Sequence, residues 1–479
     1  MASLEQWLVG GSLALPLLLA LAVRIWPVLA TKRPLLLGVP ALTLASFVSL
    51  VLLRDEVPLD PAHTGLALDA VARPLLVAAS GVVLAVLAAL PKRELTRSHV
   101  SAILIIYVGG CWVLLSHGVV SLMLGYLVTA VPILTFKEFR ARRLARYSQA
   151  LSLALVGAGL AWLADAAGTT ALSALPAVVT ARPGAFGLVV LGLALRLGVF
   201  PFQSWLVGLF ESAPFGPLIM SVAPMSMLIV VERVITPTVA VTLGEVPGAS
   251  ATLLVISAAL AAGMVVVQTH LRRALGWFVV SLHSTIFLGV LDPNPLGHMG
   301  GLAMWAASTL ALTGFAIVIW ALFTRRGDID LREHSGFHDQ TPTLAASFLL
   351  FGLACVGLPG TIDFISEDLT LHGSIAHHPV LLVGFLTGVS TLGYAVLFLA
   401  FRIFLGPRPP QLVDVRVPDV GTRERAVLVL LGALLLGGGM APQSIARPLT
   451  DGIVSDNADT DGPPHTDTAP LHEAGGAAH

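Results

Sequence analysis

Long apolar stretches recur along the whole chain, separated by short polar or charged connections. A transmembrane helix needs roughly 20 apolar residues, and on that measure about fourteen stretches qualify. Their approximate limits are 5–29, 34–53, 69–90, 99–115, 118–136, 147–165, 185–207, 215–235, 249–268, 271–291, 299–323, 342–374, 378–405 and 424–441. The pattern predicts an all-α integral membrane protein. The first stretch is apolar for too long and lacks a basic leading segment, so a retained helix is expected rather than a cleaved signal.

The connections carry the orientation. Lys32-Arg33, Lys92-Arg93 with Arg97, the run Lys137 to Arg146, Arg272-Arg273, Arg325-Arg326 and Arg408 all follow odd-numbered spans. Connections after even-numbered spans are poor in Lys and Arg, and the second carries Asp55, Glu56 and Asp60. The positive-inside rule then places the odd connections in the cytoplasm and both termini outside. The implied location is multi-pass in a bacterial inner membrane, with lipid as the surrounding partner. The tail from Pro442, rich in Asp, Thr, Pro, Gly and His, is expected to be disordered.

Composition agrees and narrows the function. The chain is 56% hydrophobic and only 11% charged. Soluble domains carry about 25% charged residues. No basic patch suggests nucleic acid. There is no CxxC, no GxGxxG after a strand, no GxxxxGK[ST] and no HExxH, so no cofactor or metal is expected in this chain. Cys111 and Cys355 lie in apolar runs and read as small core residues.

One stretch organises the rest: Gly352 to Gly373, GLACVGLPGTIDFISEDLTLHG. It starts as an apolar helix, meets Pro359-Gly360, and resumes with Asp363, Glu367 and Asp368. Pro359 removes a backbone donor and Gly360 loosens the chain, so a discontinuous helix is expected. Carboxylates beside such a break at membrane depth mark an ion or proton path by default. Span seven echoes this stretch: it opens Gly-Leu-Ala at Gly192, is interrupted at Pro201 and carries Glu211 downstream. Spans 4–8 and 9–13 each place the interrupted helix fourth of five. Because five is odd, the second unit is inverted relative to the first. The expected division is residues 1–98 for the first three helices and 99–235 and 249–405 for the two five-helix repeats. The last helix is 424–441 and the tail 442–479.

A few polar residues stand inside apolar spans. Arg196 lies near the middle of span seven, where an arginine costs several kcal/mol unless paired or hydrated. A carboxylate from another helix, or water at the break, is its expected partner; a purely structural pair is the alternative. Asp363 and Glu367 are four apart and share a helix face, whereas Asp368 points elsewhere. Their mutual repulsion favours holding one proton between them. His283 in span ten is either a proton relay or a satisfied core residue. His372, with His377 and His378, either lines an exit or is simply solvated. Glu232-Arg233 reads as a local surface feature.

At these residues the chain resembles the proton-conducting, antiporter-like subunits of respiratory complex I and of Mrp-type sodium/proton antiporters, over roughly spans 3 to 13. The carriers are Phe200-Pro201-Phe202-Gln203-Ser204-Trp205-Leu206, Glu211-Ser212-Ala213-Pro214, His270-Leu271-Arg272-Arg273-Ala274-Leu275-Gly276-Trp277 and Gly357-Leu358-Pro359-Gly360-Thr361. The resemblance implies fourteen spans, two inverted five-helix units and a polar axis at mid-membrane. It also exposes departures. The usual glutamate of the fifth span is replaced in the region of Gly125 and Tyr126. The usual lysine of the seventh appears as Arg196, and lysines are missing near Ser226 and Ala306. The usual histidine before Ser-x-x-Pro looks like Glu211, while the twelfth span keeps an acid, Glu367. Within the superfamily, the segment Asp363 to Asp368 with His372-Gly373 is similar to the membrane subunit of two-component inorganic-carbon transporters.

That resemblance implies a transport subunit that is not an enzyme on its own. Proton (or sodium) flow through Arg196, Glu211, His283, Asp363, Glu367 and His372 would energise a partner. The favoured partner is a large soluble cytoplasmic zinc subunit similar to a carbonic anhydrase. The alternative is the set of subunits of a quinone-reductase or hydrogenase complex. The connections Lys137–Arg146 and Arg325–Gln340 are the expected docking surfaces.

Overall fold

Each apolar stretch is helical in the computed structural model, which describes residues 4–53, 65–135, 142–239, 248–374, 379–407 and 417–440. The acids at 55–60, Lys137–Ala141, His377, His378 and the tail from Pro442 fall outside the described residues. The first six helices are α1 (Leu4–Ile25), α2 (Arg33–Leu53), α3 (Ala72–Ala89), α4 (Arg97–Leu115), α5 (Val119–Thr135) and α6 (Arg142–Ala167). Span seven is two helices, α7 (Pro183–Leu197) and α8 (Ser204–Ser212). Span eight, read from sequence as one helix, is also two. These are α9 (Phe215–Val222) and α10, which runs through Leu228–Val230, a π-helical Val231–Ile235 and Thr236–Thr238.

The second half holds α11 (Gly248–Val266), α12 (Leu271–Val290), α13 (Pro295–Arg326), α14 (Pro342–Ala354), α15 (Ile362–Ser374), α16 (Pro379–Phe404) and α17 (Thr422–Met440). Span twelve is thus α14 plus α15. Among the described residues eight helices are long and apolar enough to cross a membrane, and four more are apolar but shorter. β-Structure among them is confined to isolated bridges, as at Leu66 with Ser116 and His270 with Asp330.

The two expected breaks exist, but neither starts at its proline. α7 ends where Gly198 turns left-handed at φ 71°. The Val199 N–H then donates back to Ala194 O at 3.0 Å and Gly198 N–H to Leu195 O at 3.3 Å. α14 ends the same way: Gly357 takes φ 74° and the Leu358 N–H donates to Leu353 O at 3.0 Å. Both are glycine C-caps in which the chain folds back to satisfy the last carbonyls. Pro201 and Pro359 follow and prevent the helix from resuming at once. Gly360, also left-handed, completes the second turn.

Connections after odd spans gather at one end of the bundle. Arg93 donates to Thr324 O at 3.2 Å, Leu331 N–H to Thr269 O at 2.8 Å, and Arg325 grips Glu424. Connections after even spans gather at the other, where the Ala67 N–H donates to Leu115 O at 2.9 Å and Val119 N–H to Thr170 O at 2.8 Å. Part of the segment expected to dock a partner after Arg325 is tied to its own chain, while Asp328, Asp330, Arg332 and Glu333 stay exposed. Ser335, Phe337 and His338 N–H groups cap Arg402, Ile403 and Phe404 carbonyls at the end of α16. Phe337 is buried under the Arg326 guanidinium, 5.0 Å from its ring centre.

Candidate functional site along the helix breaks

The break in span seven brings the first polar cluster together. Arg196 sits in the last turn of α7 and is buried, with 9% exposure. Its Nη1 donates to Gln149 Oε1 on α6, and its guanidinium lies 5.2 Å from the centre of the Tyr126 ring on α5. Tyr126 Oη lies 2.6 Å from Ser152 Oγ, and Ser152 in turn donates to Gly192 O at 2.6 Å. A serine hydroxyl has one proton to give, so the phenol is the donor to Ser152. The expected carboxylate partner is therefore corrected: among the described residues Arg196 is held by an amide and an aromatic face.

His283 reaches the same break from α12. Its Nδ1 lies 2.9 Å from Leu197 O, a carbonyl that the end of α7 leaves without a helical partner. A carbonyl can only accept, so Nδ1 carries the proton and Nε2 of the neutral ring is left as an acceptor. Nε2 is buried and makes no hydrogen bond among the described residues. Trp205 Nε1 caps Leu195 O at 2.8 Å, and Ser257 Oγ accepts the Phe200 N–H at 3.0 Å. Elements of both halves thus satisfy the opened backbone, as burial in a membrane demands. Between Arg196 and His283 lies a cavity of ≈ 20 Å³, also lined by Ser221 and Ser226. That is room for about one water.

The second cluster is built on span twelve. Asp363 stands in the first turn of α15, where the N-terminal dipole favours negative charge. It is buried, with 1% exposure. Ser308 on α13 donates to its Oδ1 at 2.8 Å, while Oδ2 is buried without a hydrogen-bond partner among the described residues. Glu367, one turn on, folds its carboxylate against Gly357, so close that a Cβ there would lie 2.2 Å from Oε2. Asp363 and Glu367 share the inward side as expected, and Asp368 is exposed.

The break in span eight lies between the clusters. Trp305 and Thr309 of α13 donate to the Pro224 and Ala223 carbonyls at 2.9 and 3.1 Å. Met225 is held at φ 43°, a conformation rare outside glycine. Polar groups therefore run from Tyr126, Gln149 and Arg196 through the cavity and this break to Ser308, Asp363 and Glu367.

Two expected path residues stand apart. Glu211 is exposed at the end of α8. His372 is exposed and lies 3.3 Å from Asp368. Sequence reading missed Gln149, Ser308, the capping roles of Gly198 and Gly357, and the break at 223–227. Pro224 was the local signal for that break.

Glu232-Arg233 is not a local surface feature. The π-helical turn sends the two side chains to different partners. Arg233 donates to Asp69 Oδ2 at 2.7 Å and to Leu114 O at 2.9 Å, with His117 Nε2 3.3 Å from the same carboxylate. Glu232 pairs with His298 at 3.1 Å. Burial alone would raise the Asp69 pKa; the Arg233 charge, then His117, outweigh it and hold the carboxyl below its usual range.

The family described as NADH:quinone oxidoreductase/Mrp antiporter, TM, matches residues 121–393. NADH-quinone oxidoreductase subunit M of Escherichia coli K12 is 28% identical over 184 residues, 38% of this chain and 36% of that protein. NADH-quinone oxidoreductase subunit N 2 of Chloroherpeton thalassium is 29% identical over 218 residues, 43% of each chain. These matches span well under half the length of the relatives. Among solved structures, a chain of respiratory complex I from Thermus thermophilus superposes with TM-score 0.79 at 22% identity, covering 95% of this chain and 100% of the other. A chain of the Mrp complex from Dietzia sp. DQ12-45-1b does so with TM-score 0.82 at 18% identity, covering 96% and 98%. The fold is shared across both lengths.

Proposed function

Because this chain belongs to the NADH:quinone oxidoreductase/Mrp antiporter membrane family, we propose that it is a proton-translocating subunit of a larger membrane assembly. The observation that carries this is Asp363: a buried carboxyl with one oxygen free, beside Glu367, at the break of span twelve. Two close carboxyls disfavour simultaneous ionisation and can share a proton. Ser308 fixes the near oxygen, leaving the other to take or release it. The broken helices supply unsatisfied backbone groups on which water can order. Arg196 would set the field of the first half and His283 would relay through its free Nε2.

In the same reading the two five-helix units are inverted repeats, basic connections face the cytoplasm and both termini lie outside. The relatives named above are redox-complex or antiporter subunits. They favour a redox or cation-antiport assembly over the zinc-protein, inorganic-carbon partnership suggested by residues 363–373. Purification of the tagged chain in mild detergent, with co-purified subunits identified by mass, tests the choice. Flavin, iron–sulfur or antiporter subunits are the expected result. A single soluble zinc protein would return the carbon reading.

A further inference from the structure

We infer that the break of span seven holds a binding site for a small monovalent anion of halide size, seated against Arg196 and Ser226 in the cavity beside His283. The first ground is charge. Arg233 and Arg325 are each neutralised by a carboxylate, Asp69 and Glu424. Arg196 is just as buried, yet its contacts among the described residues are the Gln149 amide and the Tyr126 ring. An isolated buried charge is costly, and a counter-ion removes the cost.

The second ground is the cavity itself. It adjoins the guanidinium, holds ≈ 20 Å³, and carries two serine hydroxyls and the imidazole but no carboxylate. Gln149 Nε2, an amide donor beside the guanidinium, is also buried without a partner among the described residues. Ser221 donates to Leu218 O at 2.8 Å and His283 Nε2 is an acceptor, so the donors left for an anion among the described residues are the guanidinium, the Ser226 hydroxyl and the Gln149 amide, and the volume suits an ion little larger than water.

The third ground is access. A second cavity of ≈ 10 Å³ shares Ile133 and Ser221 with the first and continues along Leu209, Ala213, Pro214 and Leu218 to the α8–α9 junction. Arg272 stands there, its Nε donating to Phe210 O at 2.7 Å and its Nη2 to Ala213 O. The two cavities together mark a route from the α8–α9 junction to the Arg196 guanidinium. The site does not rest on proton transfer at Asp363 and Glu367.

The test uses the purified full chain in detergent at constant ionic strength. Its melting temperature is measured in chloride or bromide against gluconate. The expected result is a saturable rise with halide that gluconate does not give, kept in part by Arg196→Lys and lost in Arg196→Gln. Should Arg196→Gln fail to fold, Ser226→Val keeps the charge but fills the cavity. It should then raise the halide concentration at half-effect at least ~10-fold, the loss of about one charge-assisted hydrogen bond. No halide-specific rise in the natural chain, an equal rise in Arg196→Gln, or an unmoved midpoint in Ser226→Val overturns the site.

Discussion

The Nδ1 atom of His283 lies 2.9 Å from the carbonyl oxygen of Leu197, so a side chain of span ten closes the broken end of span seven. The bond joins the two halves of the chain at the point where the first half has lost its own hydrogen bonding. Removing it leaves a buried acceptor unsatisfied, which costs about 1–3 kcal/mol. His283→Ala should lower stability by that amount in a denaturant or thermal melt in detergent. His283→Gln, which keeps a donor, should recover part of it. Equal losses would show that packing, not the hydrogen bond, matters here.

Proton flux should depend on the inward carboxyls and not on their exposed neighbour. General acid–base groups contribute roughly 100-fold or more. Asp363→Asn and Glu367→Gln should each cut proton movement in liposomes at least ~10-fold, leaving room for residual water conduction. Asp368→Asn, exposed beside His372, should leave it near normal. A pH-sensitive dye inside the vesicles reads all three, and an unaffected Glu367→Gln would remove that residue from the path.

The two glycine caps should differ in kind. A side chain at φ 71° or 74° costs about 1–2 kcal/mol. Gly198→Ala should show that loss plus a packing cost but no flux defect of its own, since its Cβ meets the buried Leu206 at Cδ2 (2.8 Å) and Cβ (3.2 Å) and no polar group. Gly357→Ala places a Cβ 2.2 Å from Glu367 Oε2 and must displace the carboxylate. It should lose flux as well as stability. Flux retained alongside reduced stability would mean that the position of Glu367 against Gly357 is not required.

Asp69 sets a pH dependence at the far end of the bundle. Burial opposes its ionisation, but Arg233 and then His117 hold its folded pKa below the unfolded value. Its contribution is therefore fully present above the unfolded carboxylate range near about pH 4. It is lost as pH falls through the lower folded value. Asp69→Asn should lower stability by about 1.5–3 kcal/mol at neutral pH, the range for hydrogen bonds to charged groups. Melts of both proteins across pH should show a constant gap at neutral pH that narrows on acidification. A gap that widens in acid would reverse the assignment.

Much of the candidate site was legible. Asp363, Glu367, Arg196 and His283 stand out because polar residues are rare in such apolar helices, and Pro201 and Pro359 announce the breaks. What was not legible is who meets whom. Gln149 lies 47 positions from Arg196, Ser308 lies 55 from Asp363, and Asp69 lies 164 from Arg233. Glu211 shows the converse: its spacing after the break matched the pattern, yet it is exposed at the end of α8.

By itself the sequence determined the class of protein, the places where helices form and the few polar residues inside them. Hydrophobic length, loop charge and proline position are local properties, and local physics reads them. The tertiary structure alone decided which helix faces turn inward, that Arg196 meets an amide rather than an acid, and that His283 caps the opposite half. In lipid, the outer and inner faces of a helix are both apolar, so the hydrophobic pattern that sorts them in water no longer does. Only packing between distant helices, and the need to satisfy each buried polar group, sorts them instead.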